Sequence, residues 1–239
     1  DCAGPYDGRA KSFCASLAAA FILAACAVPA VLHGSRSLPP KWGVTLPDIL
    51  EVWGVDCGTQ AGLERLLAAA GGTGFLFVPA ELGCPPLSRV RRIREQLGLR
   101  TVFNTAEKLV NYAGAPFLAM GIFHGTVFEK TAQAALRAGF RRVLLVQGVE
   151  GSEDAPVDRR CRMLLAEEGR TEFIVADPEA LGLAADLPDD DWSSAARQAE
   201  FAEAVLRGTA APAEQRGTAA RAASPGETAR TASLGEDAL

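Results

Sequence analysis

Residues 71–79 have the sequence GGTGFLFVP, in which a glycine-rich turn leads into a short apolar run that ends at a proline. An apolar run of this length between turn residues is typical of a strand buried on both faces. The spacing of apolar residues predicts a helix before it, over residues 60–70, and another after it, over residues 86–97, opened by prolines and closed by Gly98. A buried strand between two helices indicates a parallel sheet covered by helices.

The same alternation continues in both directions along the chain. The sequence therefore predicts an α/β fold, a mostly parallel sheet flanked by helices, in which ligands bind at the carboxyl ends of the strands. The other predicted strands are residues 30–32, 117–123, 141–147 and 171–175, and the other predicted helices are residues 12–27, 46–53, 127–138 and 193–206.

The composition is that of a globular protein with a sizeable core, because 49% of the 239 residues are hydrophobic and 22% are charged. The net charge of -5 argues against a protein whose whole surface binds nucleic acid or anionic membrane. The 6 cysteines include no CxxC pair and no Cys/His cluster at metal-ligand spacing. They indicate reduced thiols in a cytoplasmic protein.

Residues 13–32 carry no charge and have the length of a membrane span, and a Leu-Ala-Ala-Cys sequence within them is similar to a lipoprotein cleavage site. A targeting segment is therefore one interpretation. Against it, the run is rich in alanine, Pro29 interrupts it, and Asp1 and Asp7 lie where a signal peptide is basic. We expect a buried helix that leads into the first predicted strand, and the missing initial methionine predicts a fragment.

A polar turn containing Gly4, Asp7, Gly8 and Arg9 lies directly before the first predicted helix. Glycines allow the backbone to approach an anion, the helix N-terminus supplies free N–H groups, and the arginine adds a charged donor. The turn therefore suits a phosphate group. A turn that only reverses the chain is the alternative.

A second polar turn, formed by His33, Gly34, Ser35 and Arg36, follows a predicted strand. We expect it at the same edge of the sheet as the opening turn, because the carboxyl ends of parallel strands lie together. Two phosphate-binding turns at one edge are stronger evidence for a phosphate site than either turn alone. For His33 the alternative is a histidine with its hydrogen bonds satisfied in the core.

The predicted helix over residues 86–97 carries a cluster of four arginines, while Val90, Ile93 and Leu97 are spaced to face the core. Such a cluster fits phosphate or carboxylate binding through bidentate hydrogen bonds, and a solvated basic face is the alternative. The four are Arg89, Arg91, Arg92 and Arg94.

Three acidic residues, Glu150, Glu153 and Asp154, lie in a glycine-flanked loop after the predicted strand at 141–147. Adjacent carboxylates at the carboxyl end of a strand fit Mg²⁺, which takes its other ligands from water and substrate phosphates. A solvated acidic turn is the alternative.

Residues 96–104, QLGLRTVFN, are similar to the stretch that precedes the GPLTNP segment of one enzyme family. Other matches occur in the same order, at residues 12–16 (SFCAS), 33–36 (HGSR), 75–79 (FLFVP) and 146–151 (VQGVEG). Over roughly residues 3–207 the chain therefore resembles the anthranilate phosphoribosyltransferase family, also called glycosyltransferase family 3.

The resemblance implies a small helical domain and a large α/β domain, with phosphoribosyl pyrophosphate and Mg²⁺ bound at the hinge, and usually a homodimer. Residues 1–40 would begin the α/β domain, residues 41–71 would be helices of the small domain, and residues 72–207 would complete the α/β domain. Residues 208–239, rich in alanine, glycine and charged residues, are predicted to be a low-complexity tail. Loss of most of the small domain would expose apolar helix faces.

The chain also departs from the family. GPYDGR at residues 4–9 replaces the family's GTGGD loop, Leu32 and Ser35 replace the lysine and asparagine around the histidine, and the metal pair reads Glu153-Asp154. The sequences PYDGR at residues 5–9, HG at residues 33–34 and CPPL at residues 84–87 are together similar to a divergent branch typified by YbiB-like proteins. The phosphate- and substrate-binding residues that we predict are Gly4, Asp7, Gly8, Arg9, Ser16, His33, Gly34, Ser35, Arg36, Lys41, Arg94 and Asn104, with Ser16, Glu153 and Asp154 as Mg²⁺ ligands.

Two functions remain open at this point. In the first, the protein transfers phosphoribose from phosphoribosyl pyrophosphate to an aromatic amine or similar nitrogen acceptor, and Arg94 and Asn104 face the acceptor. In the second, the protein has no catalytic activity and binds single-stranded nucleic acid, with an affinity that falls steeply with salt. The residues predicted to contact the nucleic-acid backbone are Arg89, Arg91, Arg92, Arg94 and Arg100.

Overall fold

The computed structural model describes residues 1–186, 190–210 and 214–215. The predicted tail over residues 208–239 lies outside the described residues, except at 208–210 and 214–215. The helices that the structure describes are α1 (Ala15–Ala25), α2 (Leu46–Val52), α3 (Gln60–Thr73), α4 (Ala80–Gly83), α5 (Pro85–Leu97), α6 (Phe103–Ala106), α7 (Phe128–Arg137) and α8 (Ala195–Leu206).

The described strands form one large sheet and one short pair. The strands of the large sheet are β1 (Cys2–Ala3), β2 (Ala30–Gly34), β3 (Phe75–Pro79), β4 (Phe117–Gly121), β5 (Arg142–Val146), β6 (Cys161–Glu167) and β7 (Arg170–Ala176). The short pair is β8 (Ala185–Asp186) with β9 (Glu214–Gln215).

The large sheet has the strand order β3-β2-β1-β4-β5-β6-β7. Neighbours from β3 to β5 are parallel, and β6 and β7 add an antiparallel hairpin at one edge. The predicted α/β fold with a mostly parallel sheet is confirmed. Strands β2 and β3 follow β1 on one side of the sheet, and β5, β6 and β7 follow β4 on the other. The switch point of the sheet therefore lies between β1 and β4.

The two faces of the sheet have separate cores. Leu118, Leu145 and Phe128 belong to a cluster that α7 covers on one face. On the other face, Leu32 and Phe77 belong to a cluster that includes residues of α1, α2 and α8. Within that second cluster, Ile49 and Leu50 of α2 pack in the same core as the strands. The assignment of residues 41–71 to a small helical domain stays a prediction.

Helix α1 begins at Ala15, three residues after the predicted start at residue 12. Its buried residues are Ser16, Leu17, Ala18 and Ala20. Among the described residues, no helix combines the length and the hydrophobicity that a membrane span needs.

Helix α5 corrects one of our expectations. We expected Ile93 and Leu97 to face the core, but their side chains are 56% and 54% exposed, whereas Arg94 is 4% exposed. The reason is that Arg94 forms two hydrogen bonds with the buried carboxylate of Glu107, and this pair turns the polar side of the helix inwards. The apolar spacing was therefore misleading here.

Candidate functional site

The opening turn, the bend after β2 and the acidic loop after β5 meet at the carboxyl edge of the sheet, as we expected. They enclose a cavity of about 20 Å³, with Gly4, Ser16, His33 and Glu153 among its lining residues. Gly4 lies against the acidic loop so closely that a Cβ atom there would lie 2.8 Å from Glu153 Oε2. The three segments therefore form one site, and its volume is that of a single water molecule.

Arg9 connects the opening turn to the acidic loop. Its Nη2 atom lies 2.7 Å from Asp154 Oδ2 and 3.6 Å from Glu153 Oε1, and all three side chains are largely buried. Glu153 Oε2 and Arg9 Nη1 are buried and have no hydrogen-bond partner among the residues that the structure describes. The guanidinium group therefore neutralises both predicted metal ligands in part while leaving one oxygen of the site unsatisfied.

The amide groups that we expected to bind phosphate hold the chain's own carboxylates. Glu150 accepts hydrogen bonds from the Ala10 and Lys11 amides at 3.0 and 2.9 Å and from the Ser12 hydroxyl at 2.8 Å. The backbone of Glu150 is in the left-handed region, with φ of 54°. Burial favours the neutral acid, but these hydrogen bonds outweigh it and lower the pKa of Glu150. The donors of this turn are thus arranged for an anion.

Asp154 and Lys41, two more predicted site residues, also have polar or charged partners within the chain. Asp154 accepts a hydrogen bond from the Ala15 amide, at the N-terminus of α1, at 3.1 Å. Lys41 Nζ lies 3.3 Å from Asp7 Oδ1 and 3.8 Å from Glu150 Oε2. The helix N-terminus and the lysine therefore already have negatively charged partners.

Tyr6 and His33 fill the space behind the opening turn. The Tyr6 hydroxyl lies 2.6 Å from His33 Nδ1 and donates to the Glu107 carbonyl at 3.2 Å. Burial lowers the pKa of His33 to about 3, so the imidazole is neutral. Burial also raises the pKa of Glu107 to about 6, against the opposing effect of Arg94. Arg94 is paired with Glu107, and its contact with the acceptor stays a prediction.

A larger pocket of about 200 Å³ lies between the ends of β1 and β4, at the switch point of the sheet. Its walls include the predicted residues Asp7 and Asn104 together with Arg100, Lys108 and Phe123. Arg100 Nη2 lies 3.1 Å from Asp7 Oδ2, and its guanidinium lies over the Phe123 ring at 5.4 Å. Sequence reasoning missed Lys108, although this charged residue lies in the segment that aligns with GPLTNP.

The arginines of the predicted nucleic-acid surface are largely paired. Arg91 contacts Glu81 and Glu95, and the arginines at positions 94 and 100 pair with acidic residues as described above. Within the part of the chain that the structure describes, Arg89 and Arg92 form no ion pair. Two free arginines on one helix do not form the continuous basic stripe that a nucleic-acid strand needs, so this alternative is not supported.

Other predicted residues lie at the edge of the site or outside it. Ser35 donates a hydrogen bond to the carboxylate of Glu81, and Gly34 lines the small cavity. Arg36 points away and pairs with Glu51 on the surface. Gly8 has a φ of 77° and lies so close to Gly43 that a side chain there would collide with its carbonyl group.

Comparison with known proteins places this geometry in a family. The profile described as "Glycosyl transferase family, a/b domain" matches residues 7–233. The chain belongs to this family. It is 34% identical to the anthranilate phosphoribosyltransferase of Syntrophotalea carbinolica over 88% of its own length and 59% of that protein. It is 32% identical to the same enzyme of Desulfitobacterium hafniense, over 77% of this chain and 53% of that protein. The chain thus spans somewhat more than half the length of these relatives.

Solved structures share the fold. The anthranilate phosphoribosyltransferase of Thermus thermophilus matches with a TM-score of 0.70 and 31% identity, over 87% of this chain and 60% of that chain. The enzyme of Saccharomyces cerevisiae in complex with PRPP and Mg matches with a TM-score of 0.61 and 18% identity, over 82% of this chain and 52% of that chain. At this identity the second match is evidence for the fold alone.

Proposed function

We propose that this chain belongs to a pentosyltransferase that moves phosphoribose from phosphoribosyl pyrophosphate (PRPP) to an aromatic amine or a similar nitrogen acceptor. The observation that carries the proposal is the meeting of three loops, at residues 4–9, 33–36 and 149–154, around one small cavity. Family membership and the relatives' names support the same class of reaction.

The reaction would form a bond between the acceptor nitrogen and C1 of the ribose while the bond from C1 to the diphosphate oxygen breaks. The bonding electrons leave with the diphosphate, and the proton of the acceptor nitrogen passes to solvent. Because negative charge accumulates on the leaving group, the protein's main task is to hold and neutralise the diphosphate.

The donors for this task are present, but carboxylates of the loop at 149–154 occupy them. Ala10 and Lys11 amides, Lys41 and the N-terminus of α1 now bind Glu150 and Asp154. A diphosphate cannot enter a cavity of about 20 Å³ without moving these side chains. We therefore propose that PRPP displaces the acidic loop from its donors and that Arg9 moves from the loop to the phosphate groups.

Mg²⁺ fits the chemistry of the acidic loop. Two carboxylates and a hydroxyl, from Glu153, Asp154 and Ser16, are the hard oxygen donors that this ion prefers. One of these oxygens, Glu153 Oε2, is buried and lacks a hydrogen-bond partner within the described part of the chain. Bound together with PRPP, Mg²⁺ would add positive charge at the leaving group. In the unliganded protein Arg9 supplies part of that charge.

Isothermal titration of the protein with PRPP, with and without Mg²⁺, tests the proposal. We expect saturable binding that Mg²⁺ strengthens and that Asp154→Asn weakens by roughly tenfold or more, since a charge-assisted contact is worth about 1.5–3 kcal/mol. Glu172→Gln, an exposed carboxylate on β7, is the matched control and should bind as the wild type does. Absence of saturable PRPP binding in both conditions would refute the proposal.

We further propose, from family membership, that the full-length protein is a homodimer in the cytoplasm. Size-exclusion chromatography with light scattering tests the first statement, and cell fractionation tests the second. A monomer at micromolar concentration would contradict the homodimer, and a membrane-bound pool would contradict the cytoplasmic location.

A further inference from the structure

The acidic loop, residues 149–154, is closed by hydrogen bonds between its own backbone groups. The Val149 amide donates to the Asp154 carbonyl at 2.9 Å, and the Ser152 amide donates to the Val149 carbonyl at 2.9 Å. Gly148, directly before the loop, lies so close to it that a Cβ atom there would collide with the Asp154 carbonyl group. The backbone of the loop is therefore one tightly closed unit.

Lys108 fastens this unit to the end of β4. Its Nζ atom donates to the Gly121 carbonyl at 2.8 Å and to the Gly151 carbonyl, in the acidic loop, at 3.5 Å. The Lys108 side chain is buried. Gly121 also touches the loop directly, because a Cβ atom there would collide with the backbone of Ser152. The lysine and this close contact together hold the loop against the sheet.

The charge of Lys108 also acts on the predicted metal site. Burial lowers the pKa of Lys108 to about 8, and the carboxylates of Glu153, Glu107 and Asp7 oppose this effect, with Glu153 the strongest of the three. The ammonium form therefore predominates at pH 7. An ammonium group near a carboxylate favours its ionised form, which is the form that binds a metal ion. Lys108 thus gives the loop a fixed backbone and a favourable charge.

We propose that Lys108 is a positioning residue for the metal site of the acidic loop, because it holds the loop backbone in place while PRPP and Mg²⁺ bind. The side chains of Glu150 and Asp154 then turn away from their donors without a rearrangement of the backbone. Turning two side chains costs less conformational entropy than ordering a whole loop, so a fixed loop binds its ligands more tightly. The inference rests on the proposed pentosyltransferase function, which supplies PRPP and Mg²⁺ as ligands.

Hydrogen exchange of the unliganded protein tests whether Lys108 holds the loop. In Lys108→Met we expect the backbone amides of residues 149–154 to exchange roughly tenfold faster or more, because a hydrogen bond from a charged group is lost. The amides of residues 143–146, in β5, should exchange as in the wild type. Lys130→Met removes the same charge from an exposed position on α7 and should leave both segments unchanged.

Calorimetric titration with PRPP, with and without Mg²⁺, tests whether this position matters for the metal site. We expect Mg²⁺ to strengthen PRPP binding less in Lys108→Met than in the wild type, with a loss of roughly tenfold in the ratio of the two affinities. A role in stability alone would leave this ratio unchanged. Leu164→Ala, which removes a buried side chain from the core on β6, is the control for lower stability and should keep the wild-type ratio.

A second variant keeps the test decisive if Lys108→Met does not fold. Gly121→Ala pushes the loop away from β4 while leaving Lys108 unchanged, so we expect the same two effects. Unchanged exchange at residues 149–154, equally faster exchange at residues 143–146, or an unchanged Mg²⁺ effect would each overturn the proposal. If the wild type binds no PRPP in either condition, the proposed function fails, and hydrogen exchange alone still decides whether Lys108 holds the loop.

Discussion

At the scale of single residues, Arg9 shows how the chain supplies its own cation. Its guanidinium lies between the two acidic side chains that the family resemblance assigns to a metal, in a largely buried position. A buried charge that loses its partner is far more costly than an exposed one, because it cannot regain its hydration. Loss of Arg9 would therefore leave Glu153 and Asp154 without the cation that lies between them.

We predict that Arg9→Gln lowers the free energy of unfolding by about 3–5 kcal/mol, because Glu153 and Asp154 then lie together without a cation. The same change should create measurable Mn²⁺ binding in the absence of PRPP. Urea unfolding and calorimetry check the two effects. Arg142→Gln, which breaks an exposed pair with Glu167, is the control and should cost less than about 1 kcal/mol. Equal effects of the two variants would show that the buried pair has no special role.

Lys108 gives a prediction about pH. Burial lowers its pKa from 10.5 to about 8, so the folded protein releases this proton first. Between about pH 8 and pH 10 the unfolded chain then binds more protons than the folded one, and stability rises with pH by about 1.4 kcal/mol for each unit. Over this pH range we expect the free energy of unfolding of the wild type to rise relative to that of Lys108→Met. Urea unfolding without ligand measures this difference. Lys130→Met should follow the wild type, and parallel curves for all three proteins would contradict the assignment.

At the scale of the element, α5 shows that apolar spacing and burial can disagree. Its inner face carries Arg94, held by Glu107, and its outer face carries Ile93 and Leu97. The helix is held in place by a buried ion pair more than by its leucine and isoleucine.

We predict that Ile93→Gln and Leu97→Gln each change the free energy of unfolding by less than about 0.5 kcal/mol, because neither side chain is buried. Arg94→Ala should cost about 3–5 kcal/mol, since it leaves the Glu107 carboxylate buried and unpaired. Thermal and urea unfolding measure both. A larger loss for the apolar variants than for Arg94→Ala would mean that the face at Ile93 and Leu97 is covered in solution.

At the scale of the whole molecule, the two cores share one sheet. Phe77 lies in the core on one face and Leu145 in the core on the other, and Ile49 of α2 belongs to the same core as Phe77. Packing of this kind couples the helices at 46–73 to the strands. We expect the described part of the chain to unfold as one cooperative unit.

We predict that Phe77→Ala, Leu145→Ala and Ile49→Ala each lower the midpoint of a single thermal transition, with a cost of about 2–5 kcal/mol. Circular dichroism and tryptophan fluorescence should report the same midpoint in each variant. Two separate transitions, with Ile49→Ala affecting just one of them, would instead support an independent unit over residues 41–71.

The sequence by itself determined the order and type of most elements, because buried strands and their helices have local signatures of composition and spacing. Residues 75–79 became β3 with the same bounds. The sequence also placed three loops at one edge, since parallel strands bring their carboxyl ends together. Strand β1, two residues long, and β6, part of the hairpin at the sheet edge, had no clear local signal.

Only the tertiary structure decided which groups occupy the site. Arg9 with Asp154, Glu150 with the amides of residues 10–11, and Arg94 with Glu107 join positions that are 13 to 145 residues apart in the chain. Periodicity and composition carry no information on such pairs, because the energy of a buried charge depends on what lies within a few ångströms in space. For the same reason the sequence did not show that Lys108 is buried and donates to the carbonyl groups of Gly121 and Gly151.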